Sequence, residues 1–174
     1  MDASEYLAFV PLLIYGIALA DLLGEWKRLF DPKEWYLPYS LFTLMLTEIA
    51  VYNIYIYLEL VLQFEGQSYF RYLSFLLPPF LFLLTTNSFT PDKKSSTREY
   101  FVEKMPVFYT LLALFVASHF FYSFNEAAYT IFIRIISVIV LISVGYFRKV
   151  WSVYLIFAIW LFSFIIMKGF MVFS

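Results

Sequence analysis

Residues Tyr36–Gln63, YLPYSLFTLMLTEIAVYNIYIYLELVLQ, decide how the chain is read. The stretch is apolar enough to cross a bilayer, yet it carries Glu48, Asn53, Glu59 and five tyrosines. On a helix, Glu48, Tyr52, Tyr55 and Glu59 stand at i, i+4, i+7 and i+11 and so share one face. A helix surrounded by lipid has no physical reason to carry that stripe, because an ionisable group in hydrocarbon costs free energy. The expectation is a membrane-spanning helix with one face turned to protein or to a polar cavity.

Composition places the rest of the chain in the same class. Of 174 residues, 63% are hydrophobic and 14% charged, against about 45–50% apolar and about 25% charged in soluble domains. Aromatic residues make up 24%, and Trp and Tyr favour the bilayer interfaces. A net charge of −1 gives no argument for a nucleic-acid partner. The absence of cysteine excludes disulfides and thiolate chemistry, and the single histidine leaves no His cluster to hold a metal. No motif calls for a cofactor: there is no Gly-rich phosphate loop, zinc spacing or nucleophile elbow. The N-terminus, Met-Asp-Ala-Ser-Glu, is acidic rather than basic. The first apolar run is therefore expected to stay in the mature protein.

Six apolar runs are long enough to cross a hydrocarbon core of about 30 Å. They cover about 6–23, 36–63, 69–89, 106–124, 129–147 and 151–173. Short connections leave one all-α domain, a bundle of six transmembrane helices. Lys27, Arg28 and Lys33 follow the first run, Lys93, Lys94, Arg98 and Lys104 the third, and Arg148 and Lys149 the fifth. The other side holds only Arg71 and Lys168. The positive-inside rule then puts both termini outside the cytoplasm.

Local signals refine the boundaries. Asp31-Pro32-Lys33-Glu34 has the form of a capping box, so the second helix is expected to begin near Pro32, with Pro38 softening that boundary. Ser96-Thr97-Arg98-Glu99 repeats the pattern and suggests a short interfacial helix, Thr97–Lys104, before Pro106 opens span four. Trp26-Lys27-Arg28-Leu29 reads as an interfacial anchor. Pro78 and Pro79 lie in the middle of span three and leave the carbonyls of Ser74 and Phe75 without helical partners. An ordinary kink is the preferred reading; a hinge, or a carbonyl pair facing a cavity, is the sharper one.

Inside the membrane the notable residues are Glu48, Glu59, His119 and Arg134. At about 1.5 Å per residue, Glu48 lies near the bilayer centre, His119 and Arg134 roughly 6 Å outward and Glu59 roughly 14 Å outward. A buried carboxyl can escape its cost by taking a proton; a guanidinium cannot. Arg134 therefore demands an acidic partner or a polar cavity, and its long stem reaches toward Glu48 or Glu59. Two readings follow. One is a structural Glu–Arg pair with tyrosine hydroxyls. The other is a polar pathway lined by Glu48, Tyr52, Tyr55, Glu59, His119 and Arg134.

The layout resembles a broad group of small bacterial six-span membrane proteins. The stretches that carry the resemblance are Tyr15–Gly24, Leu76-Leu77-Pro78-Pro79-Phe80 running to Thr90-Pro91-Asp92, and Glu99–Lys104. It implies the topology and no activity; the Phe- and Tyr-heavy, Lys-containing composition suits a bacterial cytoplasmic membrane. The leading expectation is a small channel or transporter, homo-oligomeric, passing an ion or solute near Glu48 and Arg134. The alternative is a non-transporting interaction or assembly subunit that binds a partner's transmembrane helix. A third is a lipid-modifying enzyme, for which no nucleophile or metal site stands out.

Overall fold

The computed structural model describes residues 3–60, 68–91, 96–121 and 128–163. These form α1 (Ala3–Phe30), α2 (Leu37–Leu60), α3 (Tyr69–Phe89), α4 (Thr97–Ser118), a 3-10 turn (His119–Phe121), α5 (Ala128–Phe147) and α6 (Trp151–Ser163). Among the described residues there is no strand. Five of the helices are long and apolar enough to cross a membrane, and the described part of α6 is a shorter apolar helix. The end of the second apolar run beyond Leu60, the outer part of the sixth and Lys168 lie outside the described residues.

Helix α1 packs on α2 and α3, α3 on α4, α4 on α5, and α6 lies against α2. The face that α2 buries is Tyr39, Thr43, Leu46, Ala50, Asn53 and Tyr57, a repeat of three and four residues. At the end of the bundle near the 31–36 connection, aromatic rings fill the interior. Tyr39 stacks on Phe89 at 4.6 Å, Phe101 packs on Phe108 at 5.2 Å, and Phe42 touches Phe89, Phe108 and Tyr109. Each such pair adds about 0.5–1.5 kcal/mol to the burial of its rings.

Three local expectations change. Asp31 does cap, but it caps a turn: its side chain accepts from the Lys33 N–H at 3.0 Å and its carbonyl from the Glu34 N–H at 3.1 Å. Helix α2 starts later, at Leu37, with Pro38 in the first turn, where a missing N–H costs nothing because the donor would be unsatisfied anyway. Helix α4 runs without a break from Thr97 through Pro106, so there is no separate interfacial helix. Helix α1 continues to Phe30 and takes Trp26–Leu29 into itself.

Two of the prolines inside helices share one arrangement. Pro79 cannot donate to the Phe75 carbonyl, and the Tyr57 hydroxyl of α2 donates to that oxygen instead, at 2.6 Å. Pro11 likewise leaves the Leu7 carbonyl without its helical donor, and the Tyr72 hydroxyl of α3 supplies one at 2.9 Å. A lone carbonyl in hydrocarbon costs several kcal/mol, so at Pro11 and Pro79 a tyrosine from a neighbouring helix takes the place of the missing donor. The Phase of α3 set by Pro78 and Pro79 is thereby tied to α2, and the Phe75 carbonyl meets a phenol rather than a cavity. Helices α4 and α5 approach more closely still: a Cβ added at Gly145 would lie 2.8 Å from the Tyr109 Cβ.

Two outcomes test these contacts. Tyr57→Phe is expected to lower stability by about 1–3 kcal/mol in detergent unfolding. That loss should shrink in a Pro79→Ala background, where the Phe75 carbonyl regains a helical donor. Gly145→Ala forces a Cβ against another Cβ that cannot swing away, and should cost about 1–3 kcal/mol by the same measurement.

Candidate functional site

Glu48 stands next to Thr47, the middle residue of the span Leu37–Tyr57. It is half-buried and belongs to the flank of α2 beside α6, not to the face packed on α1. There the Trp160 indole N–H donates to its carboxylate oxygen at 3.0 Å. Tyr52, one turn on, is half-buried on the same flank, and Tyr55 is 59% exposed. Tyr55 lies two residues from the end of the span, a depth at which tyrosine is at home in the interface. Glu59 is in the last turn of α2, and its side chain lies outside the described part.

Arg134 and His119 are brought together at another place, where α4 ends and α5 begins. The Arg134 guanidinium lies over the Phe120 ring, 5.9 Å from its centroid, an arrangement worth about 0.5–2 kcal/mol when partly desolvated. His119 packs edge-on against Phe115 at 4.9 Å, and its Nδ1 is 2.8 Å from the Phe115 carbonyl oxygen. A carbonyl only accepts, so Nδ1 carries the proton in that contact. Glu48 thus meets Trp160 of α6, while His119 and the Phe120 ring under Arg134 lie in the turn that ends α4.

Two further polar clusters were not legible as such. Asn53 turns inward, accepting from the Tyr15 hydroxyl at 3.2 Å and donating to the Ile49 carbonyl at 2.8 Å. The Tyr15 ring packs on Tyr57 and Phe82 at 5.4 and 5.6 Å. The second cluster is charged. Arg28 and Glu25 are both buried, at 7% and 8% exposure, with the Arg28 Nε 2.6 Å from Glu25. Arg28 Nη1 lies 3.1 Å from the Glu34 carboxylate and 3.4 Å from the Thr97 hydroxyl, while Nη2 donates to the Pro91 carbonyl at 3.4 Å. Thr97 donates onward to Glu34 at 2.8 Å, and Tyr39 to Glu25 at 3.4 Å.

Arg28 is therefore not a surface anchor. It joins α1, the 31–34 turn, the end of the α3 connection and the start of α4. Glu34 and Thr97, which the capping patterns assign to helix starts, spend their side chains on this network instead. The Ser96 side chain makes no cap bond. The sequence signal was the i, i+3 pair Glu25–Arg28, which shows that the two can meet but not that they are buried.

Among the described residues no group of three His, Asp or Glu side chains could hold a metal. Comparison with protein families, curated proteins and solved structures finds no match. The chemistry is read from these residues alone. Glu48 is the one of them that combines a titratable group, mid-span depth and partial exposure.

The Arg28 network makes its own prediction. Arg28→Ala strands two carboxylates, one of them buried, and should cost about 3–5 kcal/mol in thermal unfolding. Arg28→Lys should recover only part of this, because an ammonium on a flexible stem cannot replace a guanidinium fork that holds several acceptors.

Proposed function

We propose that this chain is a six-span protein of a bacterial cytoplasmic membrane that moves a small ion or solute along the α2–α6 seam at Glu48. In this reading the Lys- and Arg-rich connections face the cytoplasm and both termini lie outside, as the charge asymmetry of the connections suggests. The reading rests on one observation: a half-buried carboxylate at mid-span hydrogen-bonded to the Trp160 indole of a neighbouring helix. An ionisable group at that depth marks function by default. A carboxylate there can hold a cation or take a proton, and an indole donor steadies its charged form without neutralising it. The ring cluster around Phe42, Phe89 and Phe108 fills the alternative route between α2, α3 and α4 at one end.

A second reading, an interaction or assembly subunit, is favoured by α5. That helix packs on α4, and Phe132, Ile135, Ile136, Ile139 and Ile142 remain exposed, a surface suited to a partner's transmembrane helix or a second copy.

Flux into liposomes decides between them. Wild-type protein should carry an ion or proton current, and Glu48→Gln should lower it at least about tenfold, roughly 1.4 kcal/mol on the barrier. Trp160→Phe, which removes the indole donor to Glu48, should lower the same current. Absence of wild-type flux across a panel of ions would remove the transport reading. The chain has no cysteine, so Ile136→Cys introduces its sole thiol. Crosslinking through it in cells would then reveal the partner expected of a subunit.

A further inference from the structure

A second polar feature lies at the edge of the spans, away from Glu48. Between the 33–36 connection and the first turn of α4 is a cleft of about 340 Å³, lined by Lys33, Glu34, Trp35 and Tyr36 on one side and by Thr97 and Arg98 on the other. That volume falls at the lower end of the roughly 300–1,000 Å³ of small-molecule sites. We propose that this cleft holds the phosphate-bearing headgroup of an anionic phospholipid.

Charge gives the first argument. Lys33 and Arg98 both line the cleft with exposed side chains, and among the described residues neither has a carboxylate at ion-pair distance. Arg28, in contrast, has two. The acid in the cleft, Glu34, is already engaged: its Oε2 lies 3.1 Å from Arg28 and 2.8 Å from the Thr97 hydroxyl. Arg28, Glu25 and Glu34 together carry one net negative charge, so the two cleft cations leave the site with one positive charge in excess. An ammonium beside a guanidinium suits a phosphate, which accepts from a planar fork and a point charge together.

Depth gives the second argument and selects the source of the phosphate. The candidate spans of α2 and α4 begin at Leu37 and Thr97, so residues 33–36 and 96–98 lie at the hydrocarbon boundary, where headgroups reside. Trp35 is 54% exposed there, as an interfacial tryptophan would be. The Tyr36 phenol and the Arg98 guanidinium line the same cleft. Basic clefts between spans at the membrane surface are the sites anionic headgroups occupy. The inference needs the membrane placement but not transport.

The test is binding of short-chain phosphatidylglycerol to the purified protein in neutral detergent, followed by native mass spectrometry. Short-chain phosphatidylcholine and inorganic phosphate run in parallel. Saturable phosphatidylglycerol binding, weakened about thirtyfold in the Lys33→Gln/Arg98→Gln variant, is expected from the loss of two cations at the membrane surface. The variant should melt as wild type does, since both side chains are exposed. Lys104→Gln, which removes a cation outside the cleft, should bind as wild type. Equal binding by the double variant, or of phosphatidylcholine, would overturn the proposal. Inorganic phosphate binding as tightly as phosphatidylglycerol would overturn the lipid assignment in favour of a soluble anion. A flux defect at Glu48 has no bearing on any of these outcomes.

Discussion

A carbonyl that loses its helical donor inside hydrocarbon must find another, and this requirement organises the bundle. Pro11 and Pro79 each release one carbonyl, and Tyr72 and Tyr57 each close one, at 2.9 and 2.6 Å. The alternative, an unsatisfied oxygen facing lipid tails, costs several kcal/mol. The two bonds pin α3 to α1 and α2 to α3 at fixed heights and fixed rotations. Once Tyr57 must reach the Phe75 carbonyl, the stripe Tyr39–Leu46–Asn53–Tyr57 has to face inward. Glu48, lying off that stripe, is then left on the flank where α6 packs.

The polar groups of the chain consequently divide by where they lie in the bundle. Arg28 is buried and surrounded by acceptors on three segments. Removal of its charge would be punished by the carboxylates it leaves behind, but its presence does not by itself indicate chemistry. Asn53 and Tyr15 satisfy one another in the same sense. Glu48 is different in place, because it is half-buried at mid-span on the flank of α2, where the Trp160 indole donates to its carboxylate. Function is therefore sought at the seam, and architecture at the Arg28 network.

The outer helices extend this division. Helix α5 is held to α4 at a contact close enough that Gly145 and Tyr109 leave no space for a methyl group. Much of its remaining surface is exposed Ile and Phe. It ends on Arg148, which adopts a left-handed backbone with φ 49° and donates its N–H to the Val144 carbonyl at 3.0 Å, a helix-ending turn that glycine more often supplies. The connection to α6 is short, so α6 returns at once toward the bundle and reaches α2 rather than extending into solvent.

Much of this was legible in the sequence, for reasons that are local. Apolar runs long enough to span, the absence of cysteine and the carbonyl that Pro79 releases all follow from residue type and spacing. The depth of Glu48 within α2 follows from counting residues. The sequence did not reveal which neighbour meets each group, because periodicity gives the relative angle between residues on one helix and not the direction in which the helix faces. Counting residues gives the depths of Glu48 and Arg134, but that Trp160 donates to one and Phe120 lies under the other came only from tertiary packing. Arg28 and Glu34 look like ordinary interfacial residues until three segments close over them. The helix start read from Asp31 moved to Leu37 for the same reason, while the one read from Ser96 stayed at Thr97. Glu34 and Thr97 gain more from the Arg28 charge than from capping, and only the folded bundle brings that charge within reach.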